Sequence, residues 1–253
     1  MRTLVAMITV NGEPITITKF PDGTSQVWKL TRDQMRTVAR VEWRFESEAE
    51  VMHLAQLSVL LWELSISSAL DIRFLPYARQ DKPVANDRTF ALRAFAPILN
   101  SMRWGSVTLR DPHSLWAALL INCATAVYYT EEAKVACNSC ACDLLCFPDA
   151  GALEKYAPLF PAHATVSASK VRDQETGAIT GTRVHGVVTG RRVLIVDDIC
   201  DGGATFIGLA AALRENGAAF VALFVSHGIF SKGTRVLFES GIERIFTPEG
   251  EVK

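Results

Sequence analysis

Residues 193–205, VLIVDDICDGGAT, constrain the fold more than any other stretch of the chain. Four consecutive aliphatic residues drive a strongly buried, central strand. The chain then emerges with two adjacent carboxylates, Asp197 and Asp198. A turn of small residues follows (Asp201, Gly202, Gly203, Ala204, Thr205) and leads directly into a helical pattern. Such a turn exposes backbone N–H groups at a helix N-terminus, where the helix dipole also favours an anion. The two aspartates suit a sugar's vicinal hydroxyls, met directly or through Mg²⁺. Carboxylates beside a phosphate cradle fit a ribose 5-phosphate. An ordinary strand–turn–helix with acidic capping would not require two aspartates in tandem at a buried edge.

The rest of the chain gives that strand its context. The N-terminal 45 residues read as β-structure, with Asn11-Gly12 as a hairpin turn, a second turn at Asp22-Gly23, and a strand ARVEWRF. Apolar residues at helical spacing predict a helix over residues 47–69, with Ser47 as N-cap and Glu50 completing a capping box. LDIRFLPYARQDK reads as a buried strand entering a loop, RTFALRAFAPILNSM as an amphipathic helix, and SVTLRDPH as a further strand and loop. The second half repeats the scheme: DLLCFPDAG, HATVSASKVRD and FVALFVSHGIF as strands, TFIGLAAALRENG as a helix stopped by Gly217, and IERIFTP as a last short strand. Alternating strands and helices imply an α/β protein with mainly parallel sheets flanked by helices. Ligands of such sheets bind in the loops at the carboxyl ends of the strands. Five polar loops fall there: RQDK, DPH, PDAG, KVRD and DDICDGGAT. Residues 172–182, polar and with two glycines, read as a hairpin tip or as a lid, and Lys170 and Arg172 at the base favour the lid.

Charge and composition exclude several classes. With 26 Lys and Arg against 27 Asp and Glu, no field of one sign would hold the chain on nucleic acid or an anionic membrane. The N-terminus lacks the apolar core of a secretory signal, and the apolar stretch 115–127 is too short to span a bilayer, so a cytoplasmic location is expected. Six cysteines in such a compartment are expected to be reduced thiols. Four of them fall in CNSCACDLLC, whose spacing is unlike the paired CxxC of zinc sites. Cys200 reads as filler in the loop rather than as a nucleophile.

Residues 193–205 closely resemble the phosphoribosyl pyrophosphate (PRPP) loop of type I phosphoribosyltransferases and ribose-phosphate pyrophosphokinases (PRPP synthetases). FLPYARQDK (74–82) resembles the ATP-binding segment of the pyrophosphokinases, which the salvage transferases lack. The resemblance therefore implies two tandem phosphoribosyltransferase-type domains: an ATP-binding domain over 1–121 and a ribose-phosphate-binding domain over 122–253. It implies ATP contacts from Arg79 and Gln80, whose chemistry suits phosphate and base. Asp111-Pro112-His113 is similar to the family's Asp-Leu-His and implies that His113 meets the Mg²⁺ of MgATP. FPDAG implies Asp149 as a metal and ribose residue, and SASKVRD implies Lys170 and Arg172 as the catalytic cations on the transferred diphosphate. Asp197, Asp198, Asp201, Gly202, Gly203, Ala204 and Thr205 would bind the ribose phosphate. SHGIFSKG (226–233) matches a family segment of less certain role.

FPDGT (20–24) is similar to a family hairpin that binds adenine from a neighbouring subunit, with Thr24 where the family has Glu. It implies roles for Phe20 and Asp22 and a homo-oligomer of at least two chains. The loop reads Asp-Gly-Gly-Ala-Thr where the family has Asp-Thr-Gly-Gly-Thr. Gly202 removes a hydroxyl and is expected to open room, and Ala204 adds a methyl. Measured against the family pattern, the chain looks cut back, with no strand expected after Thr247. The implied reaction moves the β,γ-diphosphate of MgATP to the anomeric hydroxyl of ribose 5-phosphate, a step of nucleotide biosynthesis. The alternatives are the same transfer onto ADP-ribose (NAD metabolism), a PRPP-consuming transferase, and an inactive synthetase-associated protein.

Overall fold

The computed structural model describes residues 7–82, 87, 89–172 and 179–253, without the side chains of residues 171, 172, 179 and 180. The chain forms two compact units, Met1–Tyr128 and Tyr129–Lys253. The expected boundary at 121/122 falls inside the first unit. The physical reason is a strand, Ala124–Val127, that pairs in parallel with Ser106–Arg110 and so belongs to the first sheet.

The first unit contains β1 (Ile8–Val10), β2 (Glu13–Pro14), β3 (Ile17–Lys19), β4 (Ser25–Val27), β5 (Val38–Arg44), α1 (Ala49–Glu63), β6 (Ser67–Phe74), α2 (Ala91–Asn100), β7 (Ser106–Arg110), α3 (Trp116–Leu120) and β8 (Ala124–Val127). Its main sheet has the order β2-β1-β5-β6-β7-β8, with β5 to β8 parallel. Asn11 and Gly12, at φ 53° and 84°, make the two-residue turn between β1 and β2 that the sequence predicts. β3 and β4 form a separate hairpin. It is tied to α1 by Ser25 Oγ and His53 Nε2 at 2.7 Å, and by Gln56, which accepts from the Val27 N–H and donates to the Ser25 carbonyl.

Two expectations for α1 are corrected. The helix ends at Glu63 rather than running to Ala69, because Ser65 takes the left-handed conformation (φ 56°) and Ser67 already pairs with β5. Nor does Glu50 close a capping box with Ser47. Its carboxylate turns inward, accepting from the indole N–H of fully buried Trp43 at 2.9 Å and from the Glu46 N–H at 3.0 Å. A buried indole N–H without an acceptor is costly, and this demand outcompetes the cap.

The second unit contains α4 (Thr130–Ser139), β9 (Leu144–Phe147), α5 (Ala150–Tyr156), β10 (Thr165–Arg172), β11 (Ile179–His185), β12 (Arg192–Cys200), α6 (Ala204–Glu215), β13 (Phe220–Gly228), α7 (Arg235–Phe238), β14 (Arg244–Thr247) and β15 (Gly250–Val252). The sheet order is β11-β10-β9-β12-β13-β14-β15, parallel from β10 through β14. From β9 the chain adds β10 on one side and later β12 on the other. The β9/β12 gap is therefore the point where the strand order reverses, the place where open α/β sheets bind ligands. β15 adds an antiparallel strand beyond Thr247, where none is expected from the sequence. β12 runs on through Asp197, Asp198 and Cys200 before the loop begins. β10 and β11 pair as an antiparallel hairpin, and the lid expected over its tip falls largely on residues 173–178, outside the described residues. Among the described residues no helix is long and apolar enough to cross a membrane.

Glu50→Ala should lower the unfolding free energy by about 1–3 kcal/mol, the penalty for leaving buried donors without an acceptor. Chemical denaturation followed by tryptophan fluorescence checks this; an unchanged midpoint would remove the Trp43–Glu50 bond from the stability of the first unit.

Candidate functional site

The carboxyl edge of the second sheet gathers most of the residues singled out in the sequence. Asp197 and Asp198 are consecutive on β12, so their side chains start toward opposite faces. Asp198 is 4% exposed and pairs with Lys155 Nζ of α5 at 3.4 Å. Asp197 accepts from the Asp198 N–H through Oδ1 at 2.9 Å. Its carboxyl is pushed well above the ordinary aspartate range, first by burial, then by the charge of Asp198, with Asp149 adding and Lys155 opposing. Asp149 stands at the end of β9 as the N-cap of α5, accepting from the Ala152 N–H at 3.0 Å. The structure thus brings Asp149, Asp197 and Asp198 into one electrostatic group and adds a cation the sequence did not single out. Lys155 carries no motif. It sits more than a turn into the helix after FPDAG, and only the packing of α5 on β12 gives it meaning.

Beyond Cys200 the loop bends through Asp201, Gly202 and Gly203 into α6. Gly203 has φ 81°, a conformation that favours glycine, and a Cβ there would stand 2.8 Å from Leu237 Cδ2 and push that side chain aside. Ala204 and Thr205 form the first turn of α6, where the opening N–H groups of a helix lack partners within it. The Cys200 thiol is pushed up to about 12, by burial first and then by Asp197 and Asp201, which suits filler rather than a nucleophile. The room expected over Gly202 is lined: a Cβ there would meet Cε of Lys232 at 3.5 Å, ordinary contact.

Lys170 lies near the end of β10, opposite Thr182 of β11. The backbone of Arg172 ends the same strand, and its side chain is outside the described residues. In the cysteine cluster, Cys137 and Cys140 are buried at the end of α4, where the Cys137 thiol donates to the Cys142 carbonyl at 3.2 Å. Burial raises the thiols of Cys137, Cys142 and Cys146, the last two to about 12.

The first unit places its candidates on the equivalent edge. Arg79 and Gln80 are exposed in the loop after β6, and His113 is exposed in the loop after β7. Each loop carries near its start a non-glycine residue in the left-handed region, Tyr77 (φ 62°) and Asp111 (φ 43°), a conformation that tends to collect at working loops. Tyr77 is held there by its hydroxyl, which donates to Glu48 Oε1 at 2.6 Å. Phe20, 40% exposed, and Asp22 stand at the turn of the β3–β4 hairpin. The Thr24 N–H and hydroxyl both donate to Asp22 Oδ1 and hold its carboxyl below the usual range.

For Mg²⁺, the chemistry of the donors is the test. Among the described residues no three His, Cys, Asp or Glu side chains gather to enclose a metal. Mg²⁺ does not need such a cage: it keeps waters and takes one or two carboxylates together with ligand phosphates. Crowded carboxylates that raise Asp197 fit that requirement.

Asp197→Asn should raise the thermal midpoint at neutral pH, because it removes a charge whose folded pKa is raised. A raised pKa means the folded state holds its proton more tightly. The wild type therefore loses stability as pH climbs above the ordinary aspartate value of 3.8, and the variant's advantage should vanish on descending to that pH. Melting curves across pH check this; a variant no more stable at neutral pH would show that the crowding is relieved by other means.

Residues 153–249 match the phosphoribosyl synthetase-associated domain. Over 247 residues, 94% of this chain and 74% of the relative, the sequence is 25% identical to a ribose-phosphate pyrophosphokinase of Ureaplasma parvum. Over 227 residues, 87% and 78% respectively, it is 28% identical to that of Pyrococcus abyssi. The phosphoribosylpyrophosphate synthetase of Mycobacterium smegmatis superposes with a TM-score of 0.75 at 22% identity, over 92% of this chain and 79% of that one. The chain is thus similar in sequence to the ribose-phosphate pyrophosphokinases over most of its length, and it shares the α/β fold of the phosphoribosylpyrophosphate synthetase.

Proposed function

We propose that the protein is an ATP-dependent pyrophosphokinase that transfers the β,γ-diphosphate of MgATP to the anomeric hydroxyl of ribose 5-phosphate, giving PRPP and AMP. The relatives named ribose-phosphate pyrophosphokinase support a transferase of PRPP synthesis in general. The observation that carries the specific reading is the pair Asp197–Asp198 at the end of β12, next to a glycine turn that opens α6 at the reversal point of the sheet.

In this reading Asp197 and Asp198 orient the sugar hydroxyls, and the loop 201–205 holds the 5-phosphate with the opening amides of α6. Lys155 pairs with Asp198 in a buried setting and offsets part of the negative charge there. Arg79 and Gln80 bind the nucleotide, as do Phe20 and Asp22. Lys170, with Arg172, stabilises the charge that develops on the transferred diphosphate. Bound Mg²⁺ would neutralise the phosphates, with Asp149 the candidate to meet it in the second unit and His113 the candidate in the first. The anomeric oxygen attacks the β-phosphorus in line, the bond from that phosphorus to the α-phosphate oxygen breaks, and AMP leaves. A phosphate cradle and ribose carboxylates would also serve a PRPP-consuming transferase. The ATP-like loop after β6 favours the kinase reading. Transfer to ADP-ribose loses its main argument, since the space over Gly202 holds the Lys232 stem. Phe20 presented on a braced hairpin supports the proposal that a second copy of the chain receives it, giving at least a dimer.

Two measurements test the reading. AMP release from MgATP should require ribose 5-phosphate and should be much slower with ADP-ribose; no AMP release with either would overturn the function. Lys170→Ala should lower kcat by about two orders of magnitude while ATP affinity changes little, because its charge acts in the transition state. Wild-type turnover would remove Lys170 from the mechanism.

A further inference from the structure

The end of β13 is fastened to the end of β12. The ladder runs in register from Arg192 and Phe220 to Cys200 and Gly228, so both strands finish at the same level. Beyond it, the Ile229 and Phe230 N–H groups both donate to the Cys200 carbonyl, at 2.9 and 3.0 Å. The Gly233 N–H then closes a tight turn on the Phe230 carbonyl at 2.7 Å. Lys232 rides on that turn. Its stem lies beside Gly202: a Cβ placed on that glycine would meet Cε, the carbon that carries the ammonium, at 3.5 Å and Cδ at 3.6 Å. Lys232 is exposed, and its ammonium makes no hydrogen bond or ion pair among the described residues.

The surroundings say what such a charge is for. Asp197, Asp198 and Asp201 crowd the same strand end, and Lys155 is already engaged with Asp198. A dianionic phosphate arriving at the loop would meet three carboxylates of its own sign. Backbone amides at the start of α6 offer partial charges, whereas a neighbouring ammonium offers a full one. Its attraction scales with the ligand's charge, so a phosphate monoester near two negative charges gains about twice what an esterified phosphate with one would gain.

We propose that Lys232 is a specificity-determining residue of the loop 201–203, supplying the cation that selects a sugar phosphate with a free, dianionic phosphate over one whose phosphate is esterified. This deepens the ribose-phosphate reading and rests on it. The side chain does from the neighbouring loop what a hydroxyl at position 202 would do from within, and the stem fills the space that a side chain at 202 would otherwise take.

The test is calorimetric binding of ribose 5-phosphate and of ADP-ribose to the full chain with Mg²⁺, for the wild type, Lys232→Met and Lys232→Arg. Lys232→Met should weaken ribose 5-phosphate binding by about tenfold or more, the loss of one charge-assisted contact, and weaken ADP-ribose binding less. Lys232→Arg should keep most of the preference. The melting temperature should be unchanged in both variants, which separates a binding effect from a folding one. A wild type that binds ribose 5-phosphate, with Lys232→Met binding it equally well, would overturn this role while leaving the function standing. Equal losses for both ligands would overturn the selectivity. A wild type that binds neither sugar phosphate would overturn the ribose-phosphate reading and this inference with it.

Discussion

β12 pairs in parallel with β13 in a single register, from Arg192 and Phe220 to Cys200 and Gly228. The two strands bury Val193, Leu194, Ile195, Val221, Ala222 and Leu223 completely, so the ladder cannot slip without exposing core. Everything proposed for the second unit hangs from its end. The aspartate pair sits on β12 just before that end, the glycine turn follows it, and the Lys232 turn departs from the neighbouring strand. An apolar framework thus holds polar groups in a geometry they would not choose by themselves.

The electrostatics follow from that rigidity. In water two adjacent aspartates would separate and ionise. On β12 they cannot move apart, and Asp197 holds its proton to higher pH than a free aspartate would. Sites that bind cations or sugar hydroxyls commonly store such frustration, with stability given up for readiness to bind. Lys155 relieves part of it from α5, and its own position depends on Asp149 capping the start of that helix. Removing the cap would therefore disturb the charge balance of the pair through a helix rather than through direct contact.

The first unit reaches a similar end by different means. Its candidate loops carry Tyr77 and Asp111 near their starts in the left-handed region, where a side chain is ordinarily strained. Asp111 tolerates this conformation better than most residues. Tyr77 does not, and its hydroxyl bond to Glu48 is the visible compensation. The β3–β4 hairpin is braced in the same spirit, with His53 and Gln56 of α1 gripping Ser25 and Val27 beneath an exposed turn.

Much of this was legible in the chain itself. The run 193–196 announces a buried strand, Asn11-Gly12 a tight hairpin, and Gly217 a helix stop, because each depends on local backbone preference or short-range hydrophobic pattern. The alternation of strands and helices implied the mainly parallel α/β architecture, and the order of short motifs placed the candidate loops on one edge of each sheet. What depends on distant partners was not legible. Helix α1 stops early at the left-handed Ser65, and Glu50 abandons its cap for the Trp43 indole. β8 joins the first sheet and moves the boundary, and β15 extends the second. Lys155 and Lys232 look like ordinary surface lysines in the sequence. Only the packing of α5 and the common end of β12 and β13 set one against Asp198 and the other against Gly202, since contact between residues dozens of positions apart is decided by the folded sheet and not by any local preference.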